Sequence, residues 1–180
     1  MPVVICITGP PGSGKSTVAS ILRARGFRIV EMSAQIKGEM RARGLRITPA
    51  SLERFAKELK RRRGRDVAAR IVVGKLRGAR GRIAITGVRS MEEVGAIRDG
   101  LGQALILSVV AKRDVRYNRL STRRSFRVQS RSLFTEREES NLAMGLGNVM
   151  RSADFVIANS GTRRELRASV AEFIMALPKG

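Results

Sequence analysis

The stretch that decides the fold is VVICITGPPGSGKSTVASIL, residues 3–22. Its first six residues are apolar and mostly β-branched, which is typical of a strand buried on both faces of a sheet. The run breaks at Gly9, and apolar residues return after Ser16 at the spacing of a helix. Between these elements, residues 9–16 read GPPGSGKS and match the pattern G-x-x-x-x-G-K-S/T. We refer to residues 9–16 as the phosphate loop, because this pattern predicts phosphate binding.

A loop of this kind binds phosphate mainly through its backbone. Its glycines allow N–H groups to turn inward around the anion, and the positive end of the following helix points at the same group. Lys15 is predicted to neutralise β- and γ-phosphate oxygens, and Ser16 to ligate Mg²⁺. The motif therefore predicts a nucleoside triphosphate with Mg²⁺, and the predicted nucleotide-binding residues here are Gly9, Gly12, Ser13, Gly14, Lys15, Ser16 and Thr17.

Composition excludes several other classes of site. The chain of 180 residues has no histidine, which excludes histidine zinc sites and catalytic triads. The single cysteine, Cys6, lies in the first apolar run and indicates a reducing compartment. No apolar run is long enough to predict a membrane span. We therefore expect a cytoplasmic protein that does not bind membranes, and the sequence contains no signal for its oligomeric state.

The net charge of +21 has two interpretations. A basic surface favours polyanions, RNA above all, because bound cations release counterions from the nucleic acid. The alternative is a compositional bias towards arginine, since the basic residues are spread along the chain and the aromatic platforms typical of single-strand binders are few. RNA therefore stays a possible partner at this point.

Apolar runs alternate with helical patterns along the chain. Strands are predicted at 3–8, 27–32, 82–86, 104–110 and 154–159, and helices at 16–25, 33–43, 48–63, 65–78, 90–100, 114–120 and 163–176. Thr48 is predicted to cap the helix that follows it, and capping boxes are predicted to begin helices at Ser90, Thr135 and Thr162. This alternation predicts one α/β domain, residues 1–180, with a five-stranded parallel sheet between two layers of helices. Two segments, 33–79 and 121–150, are too long or too polar for simple crossovers.

GPPGSGKST, followed by two insertions and by ADFVIANSGTRREL at 153–166, resembles the nucleotide kinase branch of P-loop proteins. Within that branch the chain is similar to an archaeal family related to adenylate kinase and dephospho-CoA kinase. The resemblance implies the three-layer fold of nucleoside monophosphate kinases, with ATP and Mg²⁺ as ligands. It also implies that helical insertion 33–79 binds the phosphate acceptor and that insertion 121–150 is a lid over ATP.

The resemblance also implies roles for individual residues. Arg89, in TGVRS, matches an arginine that contacts the acceptor phosphate, and Arg116 and Arg119 match arginines that face the ATP phosphates. Asn159 and Gly161, in NSG, match a loop that packs on adenine. The alternatives are a solvated helix face for the arginines and an ordinary helix entry for NSG. Further lid candidates are Arg123 and Arg124.

The chain departs from the family on the acceptor side. Thr86 and Ala34 stand where the family has acids, and Lys37 stands where it has an arginine that binds the acceptor. Glu31 is the predicted substitute acid, because it ends a parallel strand at the edge where such sheets bind ligands. Asp114 is a second candidate for that role.

The sequence therefore predicts an ATP-dependent phosphotransferase with a nucleoside monophosphate or a related small phosphorylated acceptor. The predicted catalytic residues are Lys15, Arg89, Arg119 and Glu31, with Lys37 and Arg89 on the acceptor. Two alternatives remain open. One is an ATPase switch that acts on RNA or a ribosomal particle, and the other is a nucleotide-binding protein with little catalysis.

Overall fold

A computed structural model describes residues 2–122 and 130–178. Arg123 and Arg124, the further lid candidates, lie outside the described residues. The strands are β1 (Val3–Thr8), β2 (Arg28–Glu31), β3 (Arg82–Thr86), β4 (Ala104–Val110) and β5 (Phe155–Ala158). The helices are α1 (Lys15–Ala24), α2 (Met32–Ala42), α3 (Pro49–Arg63), α4 (Val67–Leu76), α5 (Met91–Leu101), α6 (Arg113–Ser121), α7 (Arg131–Ala143), α8 (Leu146–Arg151) and α9 (Arg163–Met175).

The five strands form one parallel sheet in the order β2-β3-β1-β4-β5. Because β1 is central, its carboxyl end is flanked by Thr86 of β3 and Ser108 of β4. The phosphate loop therefore leaves the middle of the sheet at the edge where parallel sheets bind ligands. The predicted parallel α/β sheet is confirmed.

Alternate residues of the central strands pack on opposite faces of the sheet. Val4 and Cys6 pack in a cluster that includes side chains of α2, α4 and α5. Ile5 and Ile7 pack in a second cluster with side chains of α1 and α9. The central strands are thus covered on both sides, which explains why they are nearly continuous apolar runs in the sequence. Burial also raises the pKa of the Cys6 thiol to about 12, so Cys6 is an unreactive core residue.

Helix starts follow the predicted caps at three of four positions. Thr48 and Thr162 cap α3 and α9, each within a reciprocal capping box. Ser90 caps α5, but the Glu93 carboxylate accepts the Arg89 N–H instead of returning to Ser90.

The prediction that Thr135 begins a helix is wrong. Helix α7 begins at Arg131, and the Ser130 hydroxyl accepts the Leu133 N–H at 3.2 Å. Thr135 is inside that helix and its hydroxyl donates to the Arg131 carbonyl. Short α8 was not predicted. Within the described part of the chain, no helix is long and apolar enough to cross a membrane.

Candidate active site

The phosphate loop joins β1 to α1 through a left-handed residue. Gly14, at φ +97°, precedes the first helical residue, Lys15. Ser16 and Thr17 lie exposed in the first turn of α1. The N-terminus of α1 thus follows the loop directly, and a helix N-terminus in this position favours a bound anion.

Lys15 is hydrogen bonded to the loop itself. Its ammonium group donates to the Gly9 carbonyl at 2.7 Å and to the Pro10 carbonyl at 2.9 Å. Both carbonyls belong to the first two residues of the loop, so the Lys15 side chain reaches from the end of the loop back to its start. The ammonium group that is predicted to neutralise the phosphates thus lies against the backbone of the loop.

Three more side chains bind the next three residues of the loop. The carbonyls of residues 11, 12 and 13 accept hydrogen bonds from Arg116, Arg119 and Asn159, at 3.4, 3.4 and 2.7 Å respectively. Together with Lys15, these donors engage all five carbonyls from residue 9 to residue 13. These bonds, together with the Ser13 N–H, which donates to the Pro10 carbonyl at 3.2 Å, hold the backbone of the loop in place.

Asn159 packs so closely on the loop that residue 14 has no room for a side chain. A Cβ atom at Gly14 would lie 2.0 Å from the Asn159 amide nitrogen. Asn159 itself is buried, and its backbone N–H donates to the Val110 carbonyl at 2.7 Å, which joins the carboxyl ends of β4 and β5 to the loop. Its predicted packing on adenine stays a prediction. Gly161 is exposed two residues further on.

The donor set fits a nucleotide phosphate. The Ser13 hydroxyl is fully buried and has no hydrogen-bond partner among the described residues. A buried hydroxyl without a partner is costly, and a bound phosphate oxygen would satisfy it. For Mg²⁺ the fit is through Ser16. No cluster of three acidic, cysteine or histidine ligands occurs within the described residues. Mg²⁺ commonly takes its remaining ligands from phosphate and water.

Arg89 lies beside the phosphate loop, on the β3 side. The Thr8 hydroxyl, at the end of β1, donates to the Val88 carbonyl at 2.8 Å and so holds the Arg89 segment next to the loop. The Arg89 side chain is exposed, yet enough protein surrounds it for desolvation to lower the pKa of Arg89, against the raising effects of Glu93 and Glu53.

Glu93 connects the Arg89 segment to helix α3. Its carboxylate is 3% exposed and accepts the Arg89 N–H at 2.7 Å and the Lys60 ammonium group at 3.2 Å. Since Lys60 belongs to α3, this buried ion pair joins the segment predicted to bind the acceptor to the backbone of Arg89.

The remaining residues predicted for the acceptor side, or as the substitute acid, lie on β2, α2 and α6. Glu31 is exposed at the end of β2, opposite Thr86 in register. Lys37 is half-buried in α2, and Ala34 is exposed one turn before it. Asp114 is exposed in α6 and pairs with Arg131 at 3.2 Å. The structure thus brings together Lys15, Arg116, Arg119 and Asn159 at the phosphate loop.

Comparisons with known proteins show the family to which the chain belongs. Residues 5–142 match a family described as an AAA domain. A UPF0200 protein of Thermococcus kodakarensis is 32% identical over 178 residues, which cover 96% of each chain. A UPF0200 protein of Pyrobaculum aerophilum is 34% identical over 176 residues, which cover 97% of this chain and 98% of that one. The chain belongs to the archaeal UPF0200 family and carries this AAA domain.

Solved structures show the fold of this UPF0200 protein. TT1252 from Thermus thermophilus has a TM-score of 0.74 at 22% identity, over 99% of both chains. The shikimate kinase from Acinetobacter baumannii, solved with shikimate, has a TM-score of 0.61 at 18% identity, over 98% of this chain and 94% of that one. A sugar kinase from Janibacter has a TM-score of 0.64 at 19% identity, over 97% and 95%. The predicted P-loop kinase fold is confirmed.

Two acids of the UPF0200 protein are missed at the sequence level. The sequence indicates Glu93 only as part of a helix cap, and Glu138 only within the wrongly placed cap at 135–138. Both form ion pairs with cations that are distant in sequence, Lys60 and Arg116. The one available signal is an acid placed within a strongly basic chain. Such a signal does not indicate which cation the acid meets.

Proposed function

We propose that this UPF0200 protein binds ATP at the phosphate loop and transfers its γ-phosphoryl group to a small acceptor. The observation that carries the proposal is the arrangement of the loop. All five of its carbonyls from residue 9 to residue 13 are held by cationic or amide side chains, while the buried Ser13 hydroxyl has no partner among the described residues. This arrangement supports a preformed phosphate site.

Phosphoryl transfer needs charge neutralisation and positioning more than acid or base groups. An acceptor oxygen forms a bond to the γ-phosphorus while the bond from that phosphorus to the bridging oxygen breaks, and ADP leaves with the electron pair. Lys15 and Arg119 are the proposed cations at the transferred group. Mg²⁺, when bound, supplies further positive charge to the phosphate oxygens, and Ser16 is the residue that would hold it.

We place the acceptor beside Arg89, with the helices of segment 33–79 as its proposed binding segment. Arg89 and Lys37 would neutralise an anionic acceptor, and Glu31 would orient an acceptor hydroxyl or water around Mg²⁺. Segment 121–150 would form the lid over ATP. A phosphorylated acceptor such as a nucleoside monophosphate suits the positive charge of this side.

Solved structures with this fold support a small acceptor. They include a sugar kinase and a shikimate kinase in complex with shikimate. The name of each of these proteins gives a small-molecule substrate, a sugar in one case and shikimate in the other. Transfer to a small acceptor is therefore the activity that we propose for this chain as well.

The direct test follows radiolabel from the γ-phosphate of ATP. The purified protein is incubated with labelled ATP, Mg²⁺ and a panel of nucleoside monophosphates, dephospho-CoA and shikimate, each with and without RNA. Label on a small acceptor is the expected result. Label that stays in ATP, or appears only as free phosphate, would contradict the proposal.

One observation favours the ATPase switch as a second candidate. The last turn of α3 carries four consecutive cations, residues 60–63, and the chain as a whole carries +21. Free phosphate released faster with RNA, with no labelled acceptor, would favour this candidate over the kinase.

Replacing Arg89 with alanine tests the acceptor side. We expect the KM for the labelled acceptor to rise about 10- to 100-fold, because one charge-assisted contact contributes about 1.5–3 kcal/mol. The KM for ATP is expected to change less than about threefold. Steady-state kinetics with each substrate varied in turn measures both values.

The matched control is Arg80→Ala, which removes an exposed arginine before β3. We expect it to leave both KM values unchanged. An equal loss for ATP and acceptor in Arg89→Ala would contradict the acceptor-side role.

A further inference from the structure

Helix α7 is fixed against α6 by a small cluster beside the phosphate loop. Phe134 of α7 is buried and packs edge-on against Tyr117 at 5.7 Å, with Leu120 in the same cluster. The Arg113 and Arg116 guanidinium groups lie over the Phe134 ring, each 5.3 Å from its centre. The cluster therefore sets where α7 lies relative to the arginines of α6.

Glu138 is the acid that α7 presents to these arginines. Its side chain is 17% exposed and pairs with Arg113 at 2.8 Å and with Arg116 at 2.5 Å. Burial by itself raises the pKa of Glu138, but hydrogen bonds from Arg113 and Arg116 outweigh it, so the pKa of Glu138 is lowered. Glu138 is therefore a carboxylate at neutral pH.

The Arg116 guanidinium uses all three of its nitrogens for contacts within the protein. Nε donates to the Ala111 carbonyl at 3.1 Å, Nη1 to the Pro11 carbonyl of the phosphate loop, and Nη2 pairs with Glu138. The Arg116 side chain is 8% exposed, and within the described residues Glu138 is its only charged partner. Removal of the partner of a buried charge is strongly unfavourable, because the charge is left uncompensated.

The backbone of α6 also contacts the phosphate loop directly. A Cβ atom at Gly12 would lie 2.6 Å from the Arg116 carbonyl oxygen. Since backbone and side chain of Arg116 both touch the loop, its orientation bears on the shape of the loop.

We propose that Glu138 is a positioning residue for nucleotide binding, which acts through Arg116 by holding the guanidinium on the Pro11 carbonyl. Helix α7 is thereby coupled to the phosphate loop, although Glu138 itself contacts no loop residue in the described structure. This inference rests on the proposed binding of nucleotide at that loop.

The test uses Glu138→Gln, which removes the charge but keeps the shape and one hydrogen-bond acceptor. Calorimetric titration of the full chain with ADP and Mg²⁺ is expected to show affinity reduced about tenfold, because a charge-assisted bond is roughly twice as strong as a neutral one. The matched control is Glu139→Gln, an exposed acid on the same helix, for which we expect unchanged affinity.

A double-variant cycle separates positioning from a purely structural role. Once Arg116 is replaced by glutamine, we expect Glu138→Gln to cause no further loss of ADP affinity. Additive losses in the double variant would overturn the inference. If Glu138→Gln does not fold, Glu138→Asp replaces it, because aspartate keeps the charge and is expected to show a smaller loss, again only while Arg116 is present.

The outcomes distinguish this inference from the function on which it rests. A wild-type chain that binds ADP, together with a Glu138→Gln variant of equal affinity, would overturn the role of Glu138 alone. A wild-type chain that binds neither ATP nor ADP would overturn the proposed function, and the role of Glu138 with it.

Discussion

Replacing Lys15 with alanine is expected to reduce ATP affinity by at least about 100-fold. The ammonium group binds the first two residues of the phosphate loop, with hydrogen bonds of 2.7 and 2.9 Å to the Gly9 and Pro10 carbonyls. Charged hydrogen bonds contribute about 1.5–3 kcal/mol each, and Lys15 is predicted to make them to two phosphates. Calorimetric titration with ATP and Mg²⁺ measures the loss.

The matched control is Lys57→Ala, which removes an exposed lysine from a surface pair with Glu53. Exposed pairs of this kind contribute less than about 1 kcal/mol to stability, and we expect ATP affinity to be unchanged. Thermal unfolding without nucleotide shows whether either variant is destabilised. Equal ATP affinity for wild type and Lys15→Ala would contradict nucleotide binding at the loop.

Replacing Gly14 with alanine is expected to destabilise the protein by about 2–5 kcal/mol. The left-handed φ of +97° costs a side chain about 1–2 kcal/mol. The new methyl group would also collide with the Asn159 amide nitrogen, only 2.0 Å away, and break its buried bond to Ser13, for about 1–3 kcal/mol more. Urea unfolding measures the change.

Gly26→Ala separates strain from collision. Gly26 has a similar φ of +84°, but no atom of the described residues lies within 4 Å of the place that the new methyl group would occupy. We expect this control to be destabilised only by the strain of the left-handed backbone, about 1–2 kcal/mol. A Gly14→Ala variant no less stable than Gly26→Ala would contradict the close packing of Asn159 on the loop.

Asn159→Ala completes a cycle with Gly14→Ala. Because the collision already breaks the amide contact, we expect Asn159→Ala to cost less in the Gly14→Ala background than in the wild type. Equal costs in both backgrounds would show that the two residues act independently.

The three central strands are predicted well because each is covered on both faces. The predicted strands 3–8, 82–86 and 104–110 match the structure to the residue, and β2 and β5 differ by one residue at each end. A strand in such a position must be apolar along its whole length, so its limits are visible locally. Helices that are buried on one face only do not need to be apolar along their whole length, so their limits are less visible in the sequence. This explains why the start of α7 and the whole of α8 are missed.

The roles of the acids are not predictable from the sequence for a different reason. Glu93 and Lys60 are 33 residues apart, and the ion pair exists because α3 and α5 converge beside the Arg89 segment. Glu138 meets Arg116 because Phe134 packs α7 on α6. Local patterns contain no information on such partners, since the contacts depend on how helices pack.

The sequence by itself determined the parallel α/β sheet and the phosphate loop. Both depend on local chemistry, namely apolar runs for the strands and glycines followed by Lys15 and Ser16 for the loop. Only the tertiary structure decided which side chains hold that loop. Arg116, Arg119 and Asn159 are more than 100 residues away in the chain and reach residues 11–13 because β4 lies beside β1 and β5 beside β4. Strand order, which no local pattern encodes, is the physical reason that these donors converge on the loop.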